Sequence, residues 1–161
     1  MRRTRTLVLA FVVLAVATAL AAAAVPGDRV LVVEDTDTGE TYLTAPVEDG
    51  STVALEYTHS VEKTRVYDGY TVTGDVLEMT RMEFESYGWG LPARANVTED
   101  NGTFVYDPPG ETTRLTVSPG RVAGHRLHVD DETYDLVELS GAEAVDVHVT
   151  RRSLLTDTIY G

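Results

Sequence analysis

Short runs of alternating apolar and polar residues cover most of the chain from residue 29 to residue 150. A period of two is typical of half-buried strands, and Gly, Asp, Asn and Pro interrupt it every 8–12 residues. The predicted strands lie near residues 29–35, 40–46, 52–60, 65–73, 76–86, 102–107, 113–118, 122–129, 132–138 and 144–150. No long stretch after residue 28 has the period of a helix. The pattern predicts a single all-β domain over residues 28–161, an antiparallel sandwich or barrel of about 8–10 short strands.

The three predicted strands between residues 52 and 86 permit a prediction of their register. A four-residue loop at 61–64 pairs Ser60 with Arg65, and Gly74-Asp75 then forms a two-residue turn. With this register the alternating apolar residues of all three strands share one face. They are Val53, Leu55, Tyr57, Tyr70, Val72, Leu77 and Met79. We expect this face to point into the core.

The other end of the same face collects four ionisable residues, His59, Asp68, Arg81 and Glu83. Opposed residues of antiparallel strands have Cβ atoms about 5 Å apart, so the register pairs Asp68 with Arg81 and places His59 diagonal to Asp68. Buried charges need partners and hydrogen bonds. The cluster is therefore either a pocket for a ligand or partner, or an ion-pair network that satisfies itself and fixes the register.

A glycine-rich segment follows the third of these strands, Ser86-Tyr-Gly-Trp-Gly-Leu-Pro92. Its two glycines permit backbone angles that other residues avoid, and Pro92 ends the strand. The loop could close over the polar end of the face, which makes Trp89 a candidate binding residue. The alternative is a rigid turn that anchors Trp89 in the core.

The first 25 residues predict a signal peptide or a membrane anchor. Three arginines within residues 2–5 precede 19 uncharged residues at 7–25, and small residues at 21–24 fit a cleavage site. As one hydrophobic helix the segment is also long enough to span a bilayer. Arginines before it and acids after it place the folded part outside the cytoplasm, secreted or anchored to the cell membrane. Asn96 and Asn101 begin glycosylation sequons compatible with that location.

The charge of the chain limits its partners and suggests its solvent. Its 161 residues include 26 acids and 13 bases, and residues 25–161 alone carry 26 acids against 10 bases. Such a surface repels phosphate groups and argues against nucleic acid as a partner. An acid excess with a single lysine, Lys63, is typical of a halophile, because molar salt screens the self-repulsion; the alternative is an acidic domain that needs solubility. The chain has no cysteine, hence no disulfide.

Two motifs resemble an uncharacterised family, the domain of unknown function numbered eighteen-fifty. They are Tyr57-Thr-His-Ser-Val-Glu-Lys63 and Phe84-Glu-Ser-Tyr-Gly-Trp-Gly-Leu-Pro92, and the resemblance extends over roughly residues 50–150. In the family pattern an acidic residue stands between the motifs, and Asp68 takes that place. Two residues depart from the pattern: Trp89 stands where a small residue is expected, and Asp68 where Glu is expected.

Members of that family are often encoded beside the membrane subunits of tripartite (TRAP-type, TAXI-subtype) solute transporters. The resemblance thus implies a small extracytoplasmic accessory protein of such a transporter, with no established activity. We expect no cofactor. The implied partner is the membrane subunit or an organic-acid solute. Arg81 is then the natural ligand for a carboxylate, since a guanidinium can bind two oxygens at once.

Three other functions were compared with this one. A hydrolase using Ser60 with His59 is disfavoured, because adjacent strand residues point to opposite faces. A metal site built from His59, Asp68 and Glu83 would be an unspecific ligand set. A structural cell-envelope domain without a ligand remains as the third alternative. We therefore expect a binding protein with no enzymatic activity and no metal.

Overall fold

The computed structural model of the protein describes residues 29–86 and 97–151. Within these residues the chain forms twelve strands and one short helix. They are β1 (Arg29–Asp35), β2 (Thr41–Val47), β3 (Thr52–Thr58), β4 (Arg65–Thr73), β5 (Val76–Phe84), β6 (Thr98–Asp100), β7 (Thr103–Tyr106), β8 (Glu111–Thr112), β9 (Leu115–Val117), β10 (Arg126–Val129), β11 (Glu132–Asp135), α1 (Leu136–Ser140) and β12 (Val145–Arg151). The N-terminal helix expected at residues 7–25 lies outside the described residues.

The strands form two antiparallel sheets that share one hydrophobic core. The smaller sheet has the order β2-β1-β12-β9, and the larger has the order β11-β10-β3-β4-β5-β7-β6, with β8 also paired to β5. Valines and leucines of both sheets build the core between them, including Leu31, Val33, Val53, Leu55, Val72, Leu77, Leu127, Val145 and Val147. The predicted all-β antiparallel fold is confirmed, and the shared core fits a sandwich.

The helix α1 replaces the end of the strand predicted at residues 132–138. Asp135 caps it, because its Oδ1 accepts hydrogen bonds from the backbone N–H groups of Val137 (2.9 Å) and Glu138 (3.0 Å). Gly141 ends it in the left-handed conformation at φ 67°. Five residues are too few for a helical period to emerge from the sequence. No helix in the two described ranges is both long and apolar enough to cross a membrane.

The register between β3 and β4 differs by two residues from the predicted one. The strand β3 ends at Thr58, which lies opposite Arg65, so Leu55 rather than Tyr57 faces Asp68. The loop therefore comprises residues 59–64. A shift by two preserves which side chains face inward, so the apolar face is as predicted, but His59 leaves the strand.

A β-bulge at Thr80 changes the register within the β4–β5 hairpin. Tyr70 lies opposite Met79 as predicted, but Gly69 lies opposite Arg81, so Thr80 is an additional residue in β5. Beyond the bulge every residue of β5 faces the side opposite to its predicted one. At the close approach of the two strands, a Cβ on Gly69 would lie 3.3 Å from the Arg81 Cβ. A glycine inside a strand often marks such an irregularity.

Candidate functional site

The structure does not bring the four predicted site residues together. Asp68 points inward between β3 and β5, whereas the bulge turns Arg81 and Glu83 to the outer face of the larger sheet. His59 lies in the loop at residues 59–64. The predicted pair of Asp68 with Arg81 is therefore wrong, and the reason is the additional residue Thr80 in β5.

The remaining predicted positions lie in or near the segment that joins β5 to β6. Trp89 and Asn96 fall outside the described residues. Asn101 occupies the turn between β6 and β7, where its φ is 51°. Glycosylation at Asn96 and Asn101 stays a prediction.

Asp68 is buried on the inner face, with 8% of its surface exposed. Tyr57 makes a side-chain hydrogen bond to it, while Oδ1 has no hydrogen-bond partner among the described residues. Burial raises the pKa of Asp68 to about 6, although the hydrogen bond with Tyr57 acts in the opposite direction. Burial and the charge of Asp68 likewise raise the pKa of Tyr70 to about 12. The inner face thus holds a carboxyl group that titrates close to neutral pH.

Arginines and glutamates form a continuous network on the outer face of the larger sheet. Nε of Arg65 lies 2.8 Å from Glu56, and its NH1 lies 2.8 Å from Glu83. Nε of Arg81 lies 2.5 Å from the other oxygen of Glu83, and NH1 of Arg126 lies 3.7 Å from Glu56. We call these five residues the outer network. The network predicted from His59, Asp68, Arg81 and Glu83 on the inner face is therefore not formed, and Arg81 and Glu83 belong instead to a network on the opposite face.

The outer network also determines the ionisation of Glu83. Partial burial raises its pKa, but the hydrogen bonds and charges of Arg65 and Arg81 outweigh this and hold the pKa below its usual value. The guanidinium of Arg65 in addition lies 5.0 Å from the ring centre of Tyr67. Sequence reasoning missed Glu56, Arg65 and Tyr67. The sequence could have revealed them, because they stand between the inward residues of β3 and β4 and therefore share the outer face.

The loop at residues 59–64 is built by the polar residues of the two family motifs. Nδ1 of His59 accepts a hydrogen bond of 3.2 Å from the backbone N–H of Glu62. The Glu62 carboxylate in turn accepts a hydrogen bond of 3.1 Å from the Ser86 hydroxyl. One motif therefore supplies the loop and the other helps to hold it. Val61 projects from this loop with 65% of its surface exposed.

A second loop, at residues 118–125, lies beside the first. The backbone N–H of Thr58 donates to the carbonyl of Ala123 at 2.8 Å, which joins this loop to the end of β3. Nδ1 of His125 accepts a hydrogen bond from the N–H of Gly120, and its ring stacks on Tyr57 at 5.1 Å. Burial lowers the pKa of His125. Val122 at the tip of this loop is 79% exposed.

A cleft of about 250 Å³ opens between the second loop and the end of β3. Its lining residues are Glu56, Tyr57, Thr58, Arg65, Val122, Ala123, Gly124 and Arg126. Two arginines, one carboxylate and an exposed valine thus meet at one end of the larger sheet. Such a combination can hold a carboxylate beside an apolar group.

The candidate metal ligands do not form a cluster in the described part of the chain. Within residues 29–86 and 97–151, no three His, Cys, Asp or Glu side chains come close enough to hold a metal ion. The three ligands suggested by the sequence lie apart: His59 is in a loop, Asp68 is on the inner face of the larger sheet, and Glu83 is on its outer face.

The fold and these loops define the class of the protein: a small antiparallel β-domain of two sheets, with a pair of ordered loops at one end. The family model of the domain of unknown function DUF1850 matches residues 53–136. The match covers just over half of the chain, and the chain belongs to this family. The predicted membership is confirmed. Comparisons with curated proteins and with solved structures gave no match.

The family match covers the part of the molecule that contains every candidate site. It begins in β3 and ends at the first residue of α1, and it includes the strands of the larger sheet and both loops. By contrast, β1, β2 and β12 of the smaller sheet lie outside it. The functional features of the family should therefore be sought on the larger sheet.

Proposed function

We propose that this chain is an extracytoplasmic accessory protein of a TRAP-type (TAXI) solute transporter in a halophile, and that it acts by binding rather than by catalysis. Its partner is the membrane subunit of the transporter, with an organic-acid solute as the alternative ligand. Membership in the DUF1850 family supports the link to transporters, as the resemblance implied. The basic and apolar pattern of residues 1–25 supports the location outside the cytoplasm, secreted or anchored to the membrane.

One observation carries the proposal of binding: the polar side chains of the family motifs support a loop. The Glu62 carboxylate accepts a hydrogen bond from the Ser86 hydroxyl, and the His59 ring accepts one from the backbone N–H of Glu62. Both hydrogen bonds hold the backbone of residues 59–64 in place. The residue that this loop presents to solvent is apolar, Val61. An ordered loop that presents an apolar side chain suits recognition of a partner.

The same geometry supports the absence of hydrolytic activity. A serine nucleophile needs the imidazole of a histidine within hydrogen-bond reach and a third group that orients the histidine. Ser60 is exposed in the loop, and Nδ1 of His59 accepts a hydrogen bond from the backbone N–H of Glu62. An esterase screen of the wild type and of Ser60→Ala tests this point, and activity that depends on Ser60 would contradict the proposal.

The test of the main proposal is co-purification of the full-length protein with the membrane subunit of the transporter, expressed together in molar KCl. We expect the wild type to retain the subunit and Glu62→Ala to lose most of it, because the loop loses its contact with Ser86. Glu132→Ala is the matched control, an exposed glutamate in β11 at the edge of the same sheet. If the wild type does not retain the subunit, the protein is a structural envelope domain or has another partner.

The halophile part of the proposal has its own test. At −13 the chain repels itself, and molar salt reduces the Debye length to roughly 3 Å. We expect the melting temperature to rise between 0.1 M and 2 M KCl. A melting temperature that stays constant or falls would contradict the halophile assignment without affecting the proposed partner.

A further inference from the structure

We propose that the cleft between the second loop and the end of β3 is the docking site, and that it takes an acidic segment of a partner protein in which an apolar side chain accompanies a carboxylate. We call the site the docking end and define it by Val61, Arg65, Val122 and Arg126 with the cleft between the last three. This inference rests on the proposed function, because it names the partner chemistry of the same loops. Neither the family membership nor the transporter link assigns a role to this cleft.

The apolar part of the docking end is two valines on adjoining loops. Val61 and Val122 are the exposed large hydrophobic residues of the described chain, at 65% and 79%. Scattered single apolar residues on a surface need no explanation. These two, however, project from loops that both adjoin the end of β3, where the N–H of Thr58 donates to the carbonyl of Ala123. Val122 lines the cleft and offers an apolar contact for one side chain of a partner, and Val61 lies on the loop that follows β3.

The docking end is richer in bases than the molecule as a whole, which carries −13. Lys63, Arg65, Arg121 and Arg126 lie in or beside the two loops. The carboxylates beside Arg65, those of Glu56 and Glu83, both already bind it, and Asp135 opposite Arg126 caps α1. A base of the cleft is thus left for the carboxylate of a partner.

Arg126 is the base that can turn most readily toward a ligand. Its NH1 lies 3.7 Å from Glu56, beyond hydrogen-bond distance, and its side chain is 58% exposed. Arg65 by contrast is held by two carboxylates at 2.8 Å. A partner carboxylate can thus bind the planar guanidinium of Arg126 through two N–H groups without breaking the Glu56–Arg65 pair.

The wall of the cleft that the second loop forms is fixed before a partner arrives. Gly124 donates to the carbonyl of Gly120 at 2.8 Å, and Gly120 donates to His125 at 3.1 Å. Arg121 reaches the carbonyl of Gly141, which ties the loop to the end of α1 at 3.0 Å. An ordered site loses little conformational entropy on binding, so a small contact area suffices for measurable affinity.

A protein segment fits this site better than a membrane surface does. Valine side chains are short, and the rest of the molecule is strongly acidic, so anionic lipid headgroups are repelled from most of it. A short acidic protein segment, in contrast to a wide membrane surface, contacts the docking end alone. Its carboxylates meet the bases there, and its apolar side chain reaches the cleft. Anionic vesicles are accordingly an arm of the test and not the proposed occupant.

The first experiment follows the methyl NMR signals of Val61 and Val122 in the full-length protein during titration. The probes are a six-residue peptide with two glutamates around a central leucine, the same peptide with lysines, and phosphatidylglycerol vesicles. We expect the acidic peptide to shift both methyl signals, and Arg126→Glu to weaken its binding by about tenfold or more. Arg151→Glu is the matched control, since Arg151 is 54% exposed and also 3.7 Å from its carboxylate, Asp75.

The outcomes separate this inference from the proposed function. Absence of shifts at millimolar acidic peptide, equal binding of the lysine peptide, or stronger binding of vesicles would each overturn the docking end. The second arm repeats the co-purification with the membrane subunit for Arg126→Glu and Val122→Asp. Retention of the subunit by the wild type and both variants overturns the docking end and leaves the proposed function intact. Loss of the subunit already in the wild type overturns the proposed function, while the peptide arm still decides the chemistry of the cleft.

Discussion

Two aspartates of this protein are shielded from solvent to nearly the same degree, but their pKa values are shifted in opposite directions. Asp68 in the larger sheet is 8% exposed, and Asp146 in the smaller sheet is 7% exposed. Asp146 lies on the outer face of β12, where the Thr116 hydroxyl donates to it at 2.5 Å and Arg114 at 2.8 Å. The Thr116 hydrogen bond, together with Arg114, holds its pKa below the usual value, whereas burial raises the pKa of Asp68 to about 6.

The comparison shows that exposed area alone does not decide the charge of a buried acid. Asp146 is covered by the groups that stabilise its charge, because Arg114 and Thr116 both shield it and bind it. Asp68 is covered by the apolar interior, with Leu55 and Met82 as its neighbours on the adjacent strands. Shielding by polar partners lowers the pKa, and shielding by apolar side chains raises it.

The largest expected effect is the pH dependence of stability contributed by Asp68. Its pKa is raised from 3.8 in the unfolded chain to about 6, so the folded state binds the proton more tightly. The free energy of unfolding therefore falls by about 3 kcal/mol through this group as the pH rises from below 4 to above 6. In Asp68→Asn this fall should disappear.

The measurement is denaturant unfolding of wild type and Asp68→Asn at pH 3.5 to 8. The informative quantity is how the difference in the free energy of unfolding between the two proteins changes with pH. Any packing effect of the asparagine that does not depend on pH cancels from this change. A difference that does not vary with pH would mean that Asp68 has partners that neutralise its burial.

A smaller effect of opposite sign is expected for Asp146→Asn. Here the folded pKa is lowered, so the stabilisation is present above the unfolded value of 3.8 and is lost as the pH falls through the folded pKa. We expect the variant to be less stable than the wild type by about 1 kcal/mol at pH 7, since Arg114 is half exposed and water weakens the pair. The deficit should shrink in acid. A larger deficit at pH 3.5 than at pH 7 would contradict this account.

The smallest expected effect is that of Tyr57→Phe, which removes the hydroxyl that hydrogen-bonds to Asp68 and retains the ring that stacks on His125. The pKa of Asp68 should rise further, because the hydrogen bond favours the ionised form. A stability loss of about 0.5–1 kcal/mol is expected at pH 8 and less at pH 4. Carboxyl NMR titration of Asp68 in both proteins measures the pKa, and an unchanged value would show that the hydroxyl does not act on Asp68.

Much of the fold could be predicted from the alternation of residues, and the errors have a common physical cause. Alternation identifies the face of each strand, so the inward position of Asp68 followed from the sequence. Alternation does not reveal where a strand ends early in a loop, or where a bulge adds a residue to a strand. His59 continues the parity of β3, but its backbone N–H bonds to Thr64 and turns it into the loop.

The candidate site was predictable in part for the same reason. The sequence indicates an unusual inward acid, yet strict alternation also places Arg81 and Glu83 on the inner face, because it treats Thr80 as an ordinary strand residue. The docking end could not be found from periodicity, because its exposed valines lie in two loops whose proximity depends on the pairing of β3 with β10. Long-range strand pairing is not encoded in the local pattern of either loop.

The bulge at Thr80 separates the charges of β5 from the buried carboxyl group of Asp68. Arg81 already lies opposite Gly69, and Met82 lies opposite Asp68, so deleting Thr80 would leave both pairs unchanged and give a regular hairpin. A substitution that instead forced Thr80 into an ordinary strand position would shift the pairing by one residue and turn Arg81 and Glu83 inward. The outer network would then lose two of its five members, and Asp68 would gain a base, without any charged residue having been altered.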